Sequence, residues 1–181
     1  QETRCRKVGH EFFEGYHVLS AKATSRGHGG IQLWIAQVIP TQGEPLHITH
    51  EHLRILYGDE RRLFVRLRHP RLALLFIVLH APCCDDEQEI QQWWSSTSAL
   101  FPGQYRTWTC AILCDSNGRL GSITSKAVGG FGAEQETIRG AAFHDWLVAH
   151  SLILPQTFVE SHHGEHDTWT HAEGSQGRLD F

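Results

Sequence analysis

WTCAILCDSN, from Trp108 to Asn117, is the stretch that decides the fold, because an apolar segment ends in a carboxylate and an amide two positions apart. Alternate side chains of a strand share a face, so an extended backbone predicts Asp115 and Asn117 on the same side. A carboxylate can orient or deprotonate water, and an amide can donate to a phosphate oxygen that gains charge. The same Asp-x-Asn pattern is also typical of an Asx turn. The stretch therefore predicts a buried strand that ends in a reaction centre or in a turn.

Strand and helix patterns alternate on both sides of this stretch. Apolar segments bounded by turn residues predict strands at 31–39, 53–57, 63–67, 72–79 and 108–113, with short strands near 157–159, 168–170 and 178–181. Gly58-Asp59 predicts a hairpin turn, and the fully apolar run 72–79 predicts a strand covered on both faces. Asp85 or Asp86 can cap a helix that runs to about Leu100. These elements predict a layered α/β domain with a mixed sheet.

A second helix is predicted from about Thr137 to His150. Its apolar residues at helical spacing are Ile138, Ala141, Ala142, Trp146 and Ala149. The pattern predicts that these side chains face the core.

Short blocks along the chain resemble the motifs of the endonuclease/exonuclease/phosphatase superfamily, which includes deoxyribonuclease I. In chain order the blocks are QETR at 1–4, GG at 29–30, LHAP at 79–82, DSN at 115–117, TWT at 168–170 and GRLDF at 177–181. The segment 139–158 makes the resemblance closest to the endonuclease domains of non-LTR retrotransposons. The resemblance spans essentially the whole chain. It implies a single domain over residues 1–181 with a four-layer α/β/β/α sandwich of mixed, mostly antiparallel sheets (DNase I-like).

The resemblance also implies the catalytic and metal-binding roles. Glu2 matches the ligand of a Mg²⁺ or Mn²⁺ ion, which prefers hard carboxylate oxygens. Asp115 matches the residue that positions the attacking water, and Asn117 the amide beside it. His80 stands where relatives carry Tyr or His, and it would donate to a phosphate oxygen or protonate the leaving group. Asp180 matches the carboxylate that orients a catalytic histidine.

Three further residues match the substrate-binding positions of the family. Arg4 replaces the frequent Lys of the first block and keeps its charge, while Thr168 and Trp169 match the Thr-Trp block. Core packing would explain Trp169 equally well. Cys114 departs from the pattern, because relatives usually carry Gly before Asp-x-Asn and a Cβ there would press on closely packed backbone.

The chain is expected to be a fragment of a longer protein. It begins with Gln, contains no Met, and opens on what resembles an internal motif. The family's first Asn and its catalytic His would lie beyond the two ends. These 181 residues alone are therefore expected to have little or no activity.

Amino-acid composition limits which cellular compartment can be expected for this chain. A hydrophobic content of 40% in 181 residues supports one buried core, and no apolar run reaches the length of a membrane span. Five cysteines, two of them adjacent, form a poor disulfide framework, so a reducing intracellular compartment is expected. The nucleus is one such compartment.

A net charge of −4 is unlike that of a dedicated nucleic-acid binder. It does not exclude a nuclease, because an active site that holds a divalent metal must be acidic. The resemblance implies DNA as the partner, and no membrane contact is expected. An arginine cluster would contact the DNA backbone or form a solvated strand face; its members are Arg61, Arg62, Arg66, Arg68 and Arg71.

Other functions compete with a DNA-nicking endonuclease. The same scaffold serves phosphatases that cleave inositol phosphates or sphingomyelin, and an inactive descendant is a further alternative. The 14 histidines also raise a zinc-binding interaction module, a weaker alternative. Its candidate ligands are His47, His50, His52, His162, His163, His166, Cys83 and Cys84.

Overall fold

The computed structural model describes residues 3–4, 8–26, 28–101, 108–162, 164, 167–170, 174 and 176–181. Two compact units divide the chain: the first comprises 1–80 and 103–113, and the second comprises 81–102 and 114–181. Neither of the helices described has the length and apolar character that crossing a bilayer requires.

The first unit contains most of the strands. They are β1 (Gly9–Phe13), β2 (Tyr16–Ala21), β3 (Ile31–Ala36), β4 (Val38–Ile39), β5 (Leu46–His47), β6 (Leu53–Gly58), β7 (Arg62–His69), β8 (Leu72–His80) and most of β9 (Thr109–Asp115). Strands β1, β2 and β3 form one antiparallel sheet, and a second sheet has the order β6-β7-β8-β9. A 3₁₀ turn, His50–His52, precedes β6. The predicted hairpin is confirmed, since β6 and β7 pair across the turn at 58–61.

The inner faces of these strands form the core of the first unit. Alternate residues of β7 are fully buried, among them Leu63, Val65 and Leu67, and they join Leu19 and Ile31 from the other sheet in one apolar cluster. Each fully buried side chain of this size contributes about 1.5–3 kcal/mol. The period-2 pattern of the sequence thus determines which face of β7 points inward.

The second unit carries the two helices, α1 (Glu87–Ala99) and α2 (Ile138–Ala149), and the short pair β10 (Trp169–Thr170) and β11 (Gln176–Gly177). Asp86 caps α1 by accepting from the backbone N–H groups of Gln88 and Glu89, as the sequence predicts. Thr137 caps α2 in the same way, with its side chain accepting from Gly140. Trp94 of α1 stacks on Phe143 of α2 at 5.1 Å between ring centroids.

The predicted buried face of α2 is partly wrong. Ile138 is 54% exposed and Ala149 is also exposed, whereas Phe143, His144 and Leu147 are buried. His144 can be buried because both ring nitrogens have partners. Nδ1 lies 3.2 Å from a Glu136 carboxylate oxygen, and Nε2 lies 2.7 Å from the Ser125 hydroxyl.

Three strand predictions also need correction. The segment predicted as a strand near 157–159 instead contains a 3₁₀ turn, Pro155–Thr157, because Pro155 fixes φ and has no N–H to give to a sheet. The stretch 108–113 is mostly half-buried, and Leu113 is 44% exposed. Strand β9 lies at an edge of its sheet, which leaves its side chains less covered than those of an interior strand. Strand β8 is fully covered only in its second half, since Ala73 is exposed.

Candidate active site

Backbone pairing brings two predicted carboxylates together in the second unit. Asp115, the last residue of β9, lies directly opposite Asp180 in an isolated antiparallel bridge. On one side of the bridge, Cys114 and Phe181 exchange both backbone hydrogen bonds, at 2.6 and 2.7 Å. Both aspartates are half-buried. Two residues that stand 65 positions apart in sequence are thus held side by side by the backbone.

Asn117 completes this group, in a geometry that differs from the predicted one. Its φ is 51°, so the chain is no longer extended there and the two side chains are not simply alternate residues of a strand. The backbone N–H of Asn117 donates to Asp115 Oδ1 at 3.1 Å, which makes the Asx turn. The side-chain Nδ2 donates to Ala81 O at 2.9 Å. An amide NH₂ has two hydrogens, and this bond orients the second one.

A close backbone contact packs against the residues that follow the turn at Asp115–Asn117. Gly118 and Gly140 face each other so tightly that a Cβ on either residue would collide with backbone: with Gly140 N in one case and Arg119 O in the other. The hydroxyl of Thr137 also accepts from the backbone N–H of Arg119, at 3.1 Å. The start of α2 therefore positions the residues that follow Asn117.

Thr168 holds the backbone that carries Asp180. Its hydroxyl oxygen accepts from the backbone N–H groups of Leu179 at 3.1 Å and Asp180 at 3.2 Å. For Trp169 the structure describes only the backbone, which pairs with Gly177 in β10 and β11. These contacts give Thr168 a structural role; substrate binding by Thr168 and Trp169 stays a prediction.

Arg178 anchors the same segment, a role that the sequence did not reveal. It is only 3% exposed, and its guanidinium donates to the carbonyl oxygens of Phe131 at 2.7 Å and Gln156 at 3.0 Å. Its backbone N–H donates to a carboxylate oxygen of Glu134 at 2.9 Å. Burial lowers the pKa of Arg178, and the charges of Glu134 and Asp167 oppose that change. The only sequence signal was a charged residue within the last block.

Cys114 lies within the electrostatic influence of both carboxylates. Its side chain is fully buried, and the pKa of the thiol is raised well above its ordinary value, first by burial and then by the charges of Asp115 and Asp180. The backbone pairing of Cys114 with Phe181 is intact, so the Cβ at this position is accommodated here. The thiol is therefore a neutral neighbour of the carboxylate pair.

The remaining predicted site residues are His80, Arg4 and Glu2. His80 ends β8 in the first unit, half-buried, and its backbone N–H donates to Arg61 O at 2.9 Å. The Arg61 guanidinium reaches His80 O at 3.4 Å. Arg4 is exposed, has a φ of 53°, and its backbone N–H donates to Gly29 O at 2.9 Å. Glu2, the predicted metal ligand, lies outside the described residues.

The donor set suits a hard cation, although it is small. Within the described residues, no group of three or more His, Cys, Asp or Glu side chains could hold a metal ion. Mg²⁺ does not require one, because it commonly binds through one or two carboxylates and completes its octahedron with water and substrate phosphate oxygens. Asp115 and Asp180, directly opposite each other, offer such oxygens. The chemistry of this pair fits Mg²⁺ or Mn²⁺ better than a soft metal.

The histidine clusters give no support to a zinc site among the described residues. His52 Nδ1 already accepts from the backbone N–H of Thr49, at 3.0 Å. The described cysteines, Cys83, Cys84, Cys110 and Cys114, are all free thiols. His163 and His166 lie outside the described residues.

The fold is that of a solved nuclease domain. The chain superimposes on the endonuclease domain of TRAS1, a telomere-specific non-LTR retrotransposon, with a TM-score of 0.55 and 14% sequence identity. The match covers 93% of this chain and 66% of that one. No family model matches the chain, and no curated protein sequence does. The likeness, together with antiparallel sheets and two helices, confirms the predicted DNase I-like α/β fold class.

Proposed function

We propose that this chain is a metal-dependent phosphodiester hydrolase and, more specifically, a DNA-nicking endonuclease of retroelement type. The observation that carries the proposal is the Asp115–Asp180 bridge with Asn117 bonded to Asp115, on a fold shared with an endonuclease domain. Two carboxylates and an amide in one place are the groups that in-line hydrolysis of a phosphodiester requires. The four-layer arrangement and the single-domain organisation belong to the same proposal.

Asp115 would align the attacking water and take its proton. The Asx turn fixes this carboxylate, because its Oδ1 accepts the Asn117 N–H at 3.1 Å. A fixed carboxylate loses less conformational freedom when it engages water than a mobile one does, and orientation of this kind lowers the barrier to attack.

Asn117 would donate to a non-bridging phosphate oxygen. One hydrogen of its NH₂ group is directed to Ala81 O at 2.9 Å, and the other would meet the charge that develops on the phosphate. Asp180 would orient an imidazole, and His80 would donate to the phosphate or to the leaving oxygen. Removing one donor of this type commonly lowers kcat by about 10²–10³.

A divalent cation completes the proposal. Mg²⁺ or Mn²⁺ would be held by Glu2, and when bound it would neutralise charge on the scissile phosphate. Arg4, Thr168 and Trp169 would contact the nucleic acid.

Relaxation of supercoiled plasmid tests the proposal. Because the 181 residues alone are expected to have little or no activity, the parent in this assay is a longer protein that contains them. This parent is expected to nick the plasmid in Mg²⁺, to stop in excess chelator, and to resume when Mg²⁺ is restored. Asp115→Asn, which keeps the shape of the side chain, should abolish nicking, whereas Asp145→Asn on the exposed side of α2 should not. A folded parent that does not nick, or nicking that survives Asp115→Asn, would refute the proposal.

Two further substrates separate the endonuclease from its relatives on this scaffold. An inositol phosphate and sphingomyelin vesicles are offered to the same preparations under the same metal conditions. Turnover of either one without plasmid nicking would assign the carboxylate pair to a phosphatase-type reaction instead.

A further inference from the structure

The three antiparallel strands β6, β7 and β8 have a charge composition unlike that of the chain. Their 6, 8 and 9 residues include no Asp or Glu, although the whole chain has a net charge of −4. The charged residues of these strands are Arg54, Arg62, Arg66 and Arg68. Positive charge is thus concentrated on one sheet of the first unit.

Strand register places three of these arginines on one face. Arg54 of β6 lies directly opposite Arg66 of β7, and Arg68 follows two residues along the same strand. The side chains of Arg54 and Arg68 are exposed. Arg66 is half-buried, and within the described residues its Nε is buried without a hydrogen-bond partner. We call these three side chains the arginine face.

Folding does not account for the arginine face. Like charges directly opposite each other on neighbouring strands are destabilising. Among the described residues none of the three forms an ion pair, whereas Arg62 pairs with Asp59 at 3.2 Å and Arg71 donates to Glu44 O at 3.0 Å. A cluster that opposes folding and has no counterion in the described part of the chain is suited to an external anion.

We propose that the arginine face binds the phosphate backbone of double-stranded DNA. The inference rests on the proposed function, which supplies duplex DNA as the substrate. A row of guanidinium groups fits a repeating series of phosphates better than it fits a single anion, because each fork can engage a separate phosphate. The contact is independent of base sequence, so it would add affinity and no target preference.

Salt-dependent DNA binding by a triple variant provides the test. Fluorescence anisotropy of a labelled duplex compares the parent with Arg54→Gln/Arg66→Gln/Arg68→Gln, and Arg26→Gln, exposed in the turn after β2, serves as the control. Removing one arginine–phosphate interaction should reduce the slope of log K against log salt by about 0.9, so the slope of the triple variant should be smaller by about 2.7.

Thermal unfolding and plasmid nicking complete the test. Removal of like charges should leave the Tm of the triple variant unchanged or raised, and nicking at saturating DNA should keep its parental rate. An unchanged salt slope, or an equal loss of affinity in Arg26→Gln, would overturn the arginine face as a binding surface. Selective loss of affinity for an RNA duplex would overturn its assignment to DNA. A parent that nicks DNA while the triple variant binds normally refutes this inference alone, whereas a parent that neither binds nor nicks refutes the proposed function.

Discussion

Replacement of Asn117 by Ala and by Gly should separate the structural and chemical roles of this residue. Both changes remove the hydrogen bond from Nδ2 to Ala81 O, a loss of about 1 kcal/mol. Asn117 has a φ of 51°, a conformation that places the Cβ of Ala under about 1–2 kcal/mol of strain and that Gly adopts freely. Asn117→Ala should therefore be destabilised by about 2–3 kcal/mol.

Asn117→Gly should be less destabilised, although not by the full strain. Gly loses roughly 0.5–1 kcal/mol more backbone entropy on folding than Ala, which offsets part of the relief. The net advantage of Gly over Ala is expected to be about 1 kcal/mol, or about 2–4 °C in Tm for a chain of this size. Nicking should be lost equally in both variants, because neither retains the amide that is proposed to donate to the phosphate.

Thermal unfolding by circular dichroism and plasmid nicking give the two readouts. Equal Tm values for the Ala and Gly variants would show that the strain of Ala at the positive φ is no larger than the extra backbone entropy that Gly loses on folding, and would contradict the expected advantage of Gly. Retained nicking in Asn117→Gly would show that the side-chain amide takes no part in the chemistry, whatever its effect on stability.

Three other changes follow from the same region. The unfolded chain releases the thiol proton of Cys114 near pH 9, whereas the folded chain keeps it because burial raises the pKa of the thiol. The free energy of unfolding should therefore fall by about 1 kcal/mol between pH 9 and 10. Urea titrations at each pH should show this fall in the parent and not in Cys114→Ala. Gly140→Ala should destabilise the protein by at least about 2 kcal/mol, because its Cβ would meet backbone. Gly43→Ala should not, because a Cβ there meets nothing within 4 Å. Equal urea midpoints for the two variants would contradict the packing argument. Thr168→Val should lose about 1–2 kcal/mol of stability and much of the nicking activity, because the backbone N–H of Asp180 loses its acceptor. Thr168→Ser keeps a hydroxyl and should resemble the parent. Normal stability in the Val variant would favour a direct substrate contact instead.

Local signals account for the parts of the fold that the sequence predicted. Asp86 stands immediately before α1 and accepts from its first turn, so a short stretch was enough to place that helix start. The turn at Gly58-Asp59 and the alternation of apolar residues likewise determined the β6–β7 hairpin and its inward face. The α2 face was harder to predict, because His144 is buried through partners 8 and 19 positions away.

The roles of the site residues stay a prediction, and the backbone geometry at Asp115 and Asn117 could be predicted only in part. An apolar run that ends in Asp-x-Asn indicated that Asp115 and Asn117 act together. The Asx turn at Asp115 was one of the two outcomes that the local sequence allowed. The side-chain hydrogen bond from Asn117 to Ala81, 36 positions earlier, is encoded by no local pattern. Arg178 was overlooked as an anchor for a related reason, since its partners are carbonyl groups that every residue carries.

Of the two carboxylates, Asp180 has the less firmly held backbone, so Asp180 limits how accurately the pair is positioned. Asp115 ends a seven-residue strand, whereas Asp180 belongs to a segment in which the two-residue β11 is the nearest strand. Three contacts hold this segment where a longer strand would otherwise do so: the isolated bridge, the hydroxyl of Thr168 and the buried guanidinium of Arg178. Since a displacement of about 1 Å can lower a catalytic rate by about 100-fold, residues that never touch substrate can control the reaction. Thr168 can thus match a family motif and still act by holding Asp180 in position.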